Sequence, residues 1–416
     1  MKKKPINRKG NEVDRLSQLP KDILLAILDQ LDTRDAARTG ILARRWQQLP
    51  AKVSRLWIDC FQFPPASESR YPIDEIPRIN SLVVEATKSM LSRRDPDGHA
   101  IRSIAVTFFL IDHDHILIGE NVGRALARNT VETVEFTILT DMVDDELEDI
   151  DLFDYGRKFV RFVDACPDAF AGLTSLALEN LRFCSEQDVD NVLSTCARLK
   201  HLHMRNCDSS FFWILRVEHL QLIELAIDNC SFEKLELTQL PKLRQLSYNM
   251  VGFLPKIRYI LAPSRCSRCH AVAGGVVLEC VGSHMRDGDG REDKEGLSEE
   301  KGVELGEKTP AAAGFEHRSL TSLVIFSFQS KDYLLRYIRH VMKVAVNLEA
   351  VYLYGRMACE ECKDELPGRF RYPTTKRQRW SLRNKIADGT GSLATILFPN
   401  APRPIIFEDF YGPSEY

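Results

Sequence analysis

The feature that most constrains this chain is a register of apolar residues, L-x-x-L-x-L-x-x-(Cys or apolar), written along most of its length. Three consecutive copies begin at Leu173, Leu199 and Leu222, 26 and 23 residues apart. Their fourth and sixth positions are Leu176 and Leu178, Leu202 and Met204, Leu225 and Ile227. Looser copies begin at Val53, Ile101, Val131, Leu243, Leu320 and Leu348. Positions four and six alternate inward on a strand, while the first and ninth fill the turns on either side. One unit cannot bury its own apolar face, so copies must stack into a solenoid whose concave face is a curved parallel sheet. The competing arrangement is a set of ordinary buried strands in an α/β domain; a spacing near 25 residues favours the solenoid. Cys207 and Cys230 then need no chemistry, because they occupy the ninth position as small apolar fillers.

Composition agrees with a folded, water-exposed molecule of more than one unit. The 416 residues are 44% hydrophobic and 28% charged. Lys+Arg 56 against Asp+Glu 59 leaves a net charge of −3, which supplies no global attraction to phosphate or anionic lipid. Apolar runs such as 104–111 are far shorter than a membrane span, and the basic N-terminus has no apolar run behind it. Eleven scattered cysteines suit a reducing compartment, so a cytoplasmic or nuclear location is expected, with no membrane partner.

Residues 14–50 read as a small helical module. Ser17 and Pro20 can open a helix carrying the stripe Ile23, Leu24, Ile27, Leu28 and Leu31. Thr33 or Asp35 can cap a second short helix, and Gly40 breaks it before Ile41, Leu42 and Trp46 start a third. A unit below about 40 residues rarely buries so many large apolar side chains alone. Its helices either cap the following domain or present a face to another protein.

The segments Asp14-Arg15-Leu16-Ser17-Gln18-Leu19-Pro20, Thr33-Arg34-Asp35-Ala36-Ala37-Arg38-Thr39 and Leu42-Ala43-Arg44-Arg45-Trp46, with the Ile23-Leu24-x-x-Ile27-Leu28 stripe, resemble the F-box of plant F-box/leucine-rich-repeat proteins. Gly40 and Ala43 stand where that family usually has serine. The stretch from Trp380 to Phe398 also resembles the C-terminal segment of such chains. The resemblance implies docking to a Skp-family adaptor and, through it, to a cullin. Leu19, Pro20, Ile23, Leu24, Ile27, Leu28, Leu42 and Trp46 match the motif positions that would carry that contact. Trp46 has a second possible role, packing the module onto the next domain.

The resulting layout is a basic disordered tail (1–13), an F-box (14–50), a leucine-rich-repeat solenoid (51–262), an acidic, glycine-rich insert expected to be disordered (263–316), the last repeats (317–357) and a C-terminal segment (358–416). The insert follows from a 77-residue gap between the copies at Leu243 and Leu320, and from nine acids, five bases and five glycines between Arg286 and Lys308. Asp287-x-Asp289 fails the calcium-loop pattern, because Arg291 and Glu292 occupy a ligand position and the required glycine. Lys2 to Lys9 reads as a floppy tail or a nuclear-import patch. Cys266-x-x-Cys269, with His270 beside it, and Cys359-x-x-Cys362 are too far apart for an ordinary zinc pairing. His201 and His203 share one strand face, but no carboxylate at ligand spacing joins them in the sequence. No metal or other cofactor is therefore assigned. The acidic run Asp141–Asp154 and the basic run Arg369–Lys385 read as solvated loops, the latter with aromatic residues but no nucleic-acid-binding framework around it.

No P-loop, H-E-x-x-H, G-x-S-x-G or dinucleotide-binding glycine motif occurs. The expected function is a non-catalytic substrate receptor of an SCF-type (Skp, cullin, F-box) ubiquitin ligase. Positions three, five and seven of each copy should line the concave face and bind the target: His201, His203, Arg205, Glu224, Asp228, Gln245, Ser247, Asn249, Val324, Phe326, Tyr352 and Tyr354. The last four form an outward apolar patch unless the C-terminal segment folds over them. Two other readings stay open. One is an F-box scaffold or decayed receptor outside ubiquitylation, suggested by the insert and the 48- and 42-residue gaps between early copies. The other is an enzyme using the paired cysteines.

Overall fold

The computed structural model describes residues 19–41, 46–63, 73–92, 101–111, 113–128, 131–142, 147–209, 214–230, 232, 234–249, 256–265, 272–281, 316–326, 328–330, 332–355 and 372–399. Two short helices come first, α1 (Lys21–Leu28) and α2 (Thr33–Arg38). Pro20 stands at the N-cap of α1, where its fixed φ costs nothing. Asp32 caps α2, rather than Thr33 or Asp35: its carboxylate accepts the Asp35 N–H at 2.7 Å. Thr39–Ile41 makes a single 3-10 turn, and residues 42–45 of the expected third helix lie outside the described residues.

Strands and crossovers follow: β1 (Arg55–Asp59), α3 (Ile76–Ser92), β2 (Ser103–Phe109), α4 (Asp114–Leu126), β3 (Thr133–Leu139), α5 (Asp149–Ala165), α6 (Pro167–Gly172) and β4 (Ser175–Glu179). Then come β5 (Arg182–Phe183), α7 (Glu186–Thr195), β6 (His201–Arg205), β7 (Asp208–Ser209), β8 (Ile214–Glu218), β9 (Glu224–Asp228), β10 (Lys234–Thr238) and β11 (Gln245–Asn249). The chain continues with β12 (Lys256–Arg265), β13 (Val272–Val281), β14 (Ser322–Ile325), α8 (Asp332–Val344), β15 (Ala350–Leu353), α9 (Lys376–Ala387) and β16 (Thr395–Leu397).

Ten strands form one parallel sheet in chain order: β1, β2, β3, β4, β6, β9, β11, β14, β15 and β16. The first nine coincide with the nine copies of the apolar register, and the fold is a solenoid with its parallel sheet on one face. Positions four and six point into a single continuous core, whose members include Leu56, Ile104, Val134, Leu176, Leu202, Leu225, Leu246, Leu323 and Val351. Parallel neighbours require a crossover, and helices supply it between β1 and β6 and between β14 and β16. The described parts of the long gaps between early copies are helical in the main. They hold α3, α5 and α6, whose Ile79, Val83, Phe159, Phe162 and Phe170 are fully buried. Phe108, Phe136, Phe162 and Phe170 pack with ring centroids 4.8 to 6.1 Å apart.

Position four pairs with position four throughout, except at one junction. Between β3 and β4 the partners are Glu135↔Ser175 and Phe136↔Leu176, a slip of two residues. A slip of two preserves which face each side chain takes, so the core stays continuous while the polar rows shift by one rung.

The turns carry a signal that the apolar register does not contain. Asn180, Asn206 and Asn229, each at position eight, have φ of 57°, 47° and 49°. Asparagine tolerates this left-handed region better than most residues. The side chains link successive turns: Asn206 Nδ2 donates to Asn180 Oδ1 at 2.6 Å, and Asn180 Nδ2 to Thr140 Oγ1 at 2.7 Å. Cys207 and Cys230 stack beside this ladder, the Cys207 N–H donating to Cys230 Sγ at 3.4 Å. On the convex side Arg182 forks onto Asp208 at 2.7 and 2.6 Å. Helix α5 passes so close to β5 that a Cβ at Gly156 would lie 1.9 Å from the Arg182 carbonyl oxygen.

Three expectations change. Residues 263–265 and 272–281 of the insert lie in strands: β12 and β13 form an antiparallel hairpin that adds to β10 and β8. Residues 272–281 are valine-rich, and β10 offers an open edge, so this stretch pairs where the acidic, glycine-rich sequence after it lacks such residues. Second, Asp149–Asp154 begins α5, where carboxylates sit well against the helix N-terminus. Third, much of the basic run forms α9, whose Leu382 and Ile386 are buried. The calcium-like segment, both Cys-x-x-Cys pairs with His270, Leu42 and the basic tail lie outside the described residues.

Asn180→Ala removes two hydrogen bonds of a buried side chain and forces alanine into positive φ, so it should destabilise the fold by about 2–3 kcal/mol in denaturant unfolding. His115, His203, His219, His317 and His340 are all held below the ordinary histidine range by burial. The unfolded chain therefore binds more protons as pH drops below 6.5, and stability is lost in that direction. The urea midpoint should be lower at pH 5.5 than at pH 7.5.

Candidate functional site

The N-terminal module splits its apolar stripe into two rows. Leu24 and Leu28 are 0% and 1% exposed and join Ala36, Trp46, Leu49, Val53 and Leu56 in the core shared with the solenoid. Ile23, Ile27 and Leu31 stand on the adjacent row and are 44%, 37% and 39% exposed; Ile41 is 88% exposed. Pro20 is exposed, and Leu19 is half-buried against the edge of the core. Within the expected adaptor-contacting set, Leu24 and Leu28 are thus corrected, since they are buried in the core shared with the solenoid and form no part of a free face, while Trp46 takes the second of its two expected roles and packs there as well. The reason is geometric, since residues one apart on a helix diverge by about 100° and a broad stripe can serve two partners.

Polar contacts fix this seam. The Asp29 carboxylate accepts the Ser54 N–H and the Ser54 hydroxyl, each at 2.7 Å. Thr33 Oγ1 accepts the Trp57 N–H at 2.8 Å, which covers part of the open edge of β1. The Arg34 guanidinium donates to the Gln62 carbonyl.

On the sheet's concave face the pairing brings His201, His203 and Glu224 together. His201 Nδ1 lies 3.4 Å from Glu224 Oε2, and His203 Nε2 lies 4.0 Å from Glu224 Oε1. Gln245 Nε2 donates to Glu224 Oε1 at 2.8 Å. The His201 contact holds the Glu224 carboxyl below its ordinary range, while burial pushes His203 down. Arg205 and Asp228 are cross-strand neighbours on the next rung. Among the described residues no three His, Cys, Asp or Glu side chains form a metal-holding group.

The apolar patch, expected to face outward unless covered, is closed at three of its four residues. Val324, Phe326 and Tyr354 are buried and form a small cluster of their own with Tyr352 against it. Phe326 and Tyr354 stack at 4.9 Å, hiding the faces that would otherwise be offered. The Tyr372 hydroxyl lies 3.1 Å from the carbonyls of Leu353 and Pro399, so the C-terminal segment packs against the end of this strand.

Sequence reasoning missed Leu31 and Ile41 as exposed apolar residues, and Trp57 and Glu135 on the concave face. The last two occupy position five of loose copies, yet they align with position three of later ones because of the two-residue slip. No sequence signal reveals that slip. Several thiols are inert: burial raises Cys196 to about 12 and Cys166 to about 11, and Cys60 and Cys230 well above the ordinary thiol range.

The two rows of α1 should separate in stability measurements. Leu24→Ala is expected to cost about 2–5 kcal/mol, as for other buried leucines. Ile23→Ala should stay within about 1 kcal/mol, and equal losses for the two would contradict the assigned faces.

Comparison with known proteins agrees with this architecture. Residues 16–59 match the F-box domain, and residues 153–264 match the LRR repeats of FBD-associated F-box protein At5g56370. The F-box/FBD/LRR-repeat proteins At5g56420 and At3g52680 of Arabidopsis thaliana are 26% and 28% identical over 225 and 228 residues, or 52% and 51% of this chain. The matched regions span 50% and 45% of those relatives, about half of their length. F-box/LRR-repeat protein At3g26922 of the same plant is 29% identical over 206 residues, covering 47% of this chain and 61% of its own. The chain therefore carries an F-box followed by leucine-rich repeats, and its relatives are F-box/FBD/LRR-repeat proteins.

Proposed function

We propose that the protein is the target-recognition subunit of an SCF-type ubiquitin ligase, working in the cytosol or nucleus. Its F-box would dock a Skp-family adaptor, which bridges to a cullin, and its solenoid would hold the target. The observation that carries this reading is the outward row Ile23, Ile27, Leu31 and Ile41, apolar side chains left in water by a module whose other row is already used. Leu19 and Pro20 flank that row and belong to the proposed contact; Leu42 belongs to it by motif position alone. Such a receptor needs no active site of its own, because holding a lysine-bearing target near activated ubiquitin supplies proximity rather than chemistry.

Scaffolding outside ubiquitylation is the second reading. Part of its basis was the irregular early spacing, which ordered helices now account for. Among the described residues no helix is long and apolar enough to cross a membrane, which is compatible with either reading.

Paired charges on the exposed row provide the test. Ile23→Glu with Ile27→Glu should reduce capture of purified Skp-family adaptor at least about tenfold, since two apolar contacts are replaced by desolvated charges. The unfolding midpoint should change little. Undiminished capture would refute the proposed face, and adaptor capture without cullin recovery would favour the scaffold.

A further inference from the structure

One rung of the concave sheet, read across seven neighbouring strands, runs Trp57, Ala105, Glu135, Ser175, His201, Glu224, Gln245. Large and small side chains alternate over its first five positions, leaving two troughs. The trough over Ala105 has an indole on one wall and a carboxylate on the other, with Cα atoms about 9.6 Å apart at two strand spacings. Both walls are open to water: Trp57 is 51% exposed and Glu135 is exposed. The second trough, over Ser175, lies between Glu135 and His201.

We infer that this rung receives a basic side chain, arginine or lysine, presented by the protein that binds the concave face. The inference rests on the proposed role of that face in target binding and specifies what the face selects. Three observations favour a cation. The Glu135 carboxylate makes no hydrogen bond or salt bridge among the described residues, whereas that of Glu224 on the same rung is engaged by His201 and Gln245. A guanidinium or ammonium in the first trough lies between an aromatic side chain and the Glu135 carboxylate, the two kinds of partner that suit such a group best. Desolvation also pushes the Glu135 carboxyl up, with His201 opposing, so a fixed positive charge there would favour the carboxylate further. Arg55, exposed on the neighbouring rung opposite Ser103, is a like charge that an incoming cation must pass.

The full-length protein can be titrated with N-acetyl-arginine amide and N-acetyl-lysine amide, with N-acetyl-citrulline amide as the uncharged isostere. The readout is the Trp57 indole N–H resonance, identified by its loss in Trp57→Phe. The charged amides should move it saturably and the citrulline amide should not. Glu135→Gln should weaken binding about five- to tenfold, the range of one charge-assisted contact at a partly solvated site, and Arg55→Ala should strengthen it. Equal shifts with citrulline amide, or unchanged binding in Glu135→Gln with a native unfolding midpoint, would overturn the inference. Adaptor capture by the same samples keeps the two proposals apart. Loss of the shift with normal capture counts against the trough, while a normal shift without capture counts against the ligase role and leaves the trough standing.

Discussion

Nine parallel strands turn the same two side-chain positions to the same side, and the rest of the molecule follows from keeping them in phase. A parallel strand cannot turn back on itself through a tight hairpin, so each must be returned by a crossover. With positions four and six facing the core, crossovers are confined to the convex side, where α3 to α8 and the β8–β10–β13–β12 sheet lie. The opposite face is left to positions three, five and seven, which no core requirement dictates. That freedom is what makes the concave face available for recognition.

A stacked sheet ends in exposed backbone, and the F-box meets this at β1 through Thr33 and Asp29 while its inner leucines extend the core. The module therefore depends on the solenoid for burial, and the solenoid on the module for a closed end. This mutual dependence explains how a short helical segment can leave four large apolar side chains in water and still be held in place. The two proposed docking faces then sit on one continuous core rather than on separately moving units.

Much of the architecture was legible in the chain. The register located nine strands of the main sheet, and Cys207 and Cys230 read correctly as turn fillers. Legibility failed where one residue type serves two ends. Ile23 and Leu24 are both apolar helix residues, and which one meets the solenoid depends on where β1 lies, something no local pattern contains. Val324, Phe326 and Tyr354 occupy concave positions as read, yet they stack on one another instead of facing out. Residues 272–281 were passed over because the acidic, glycine-rich sequence beyond them dominated the composition of the gap, although their valines suit the strand they form.

Strand positions, period and fold class follow from the order of residues alone, because burial of alternating apolar residues is a local rule repeated in every copy. That order also places an amphipathic module ahead of the solenoid. How the copies align with one another is set by the folded sheet. The two-residue slip between β3 and β4 costs the core nothing, since side-chain alternation has a period of two, but it sets Trp57 and Glu135 on the rung of His201 and Glu224. A feature to which the core is energetically indifferent leaves no apolar signature, and it had to be seen in three dimensions.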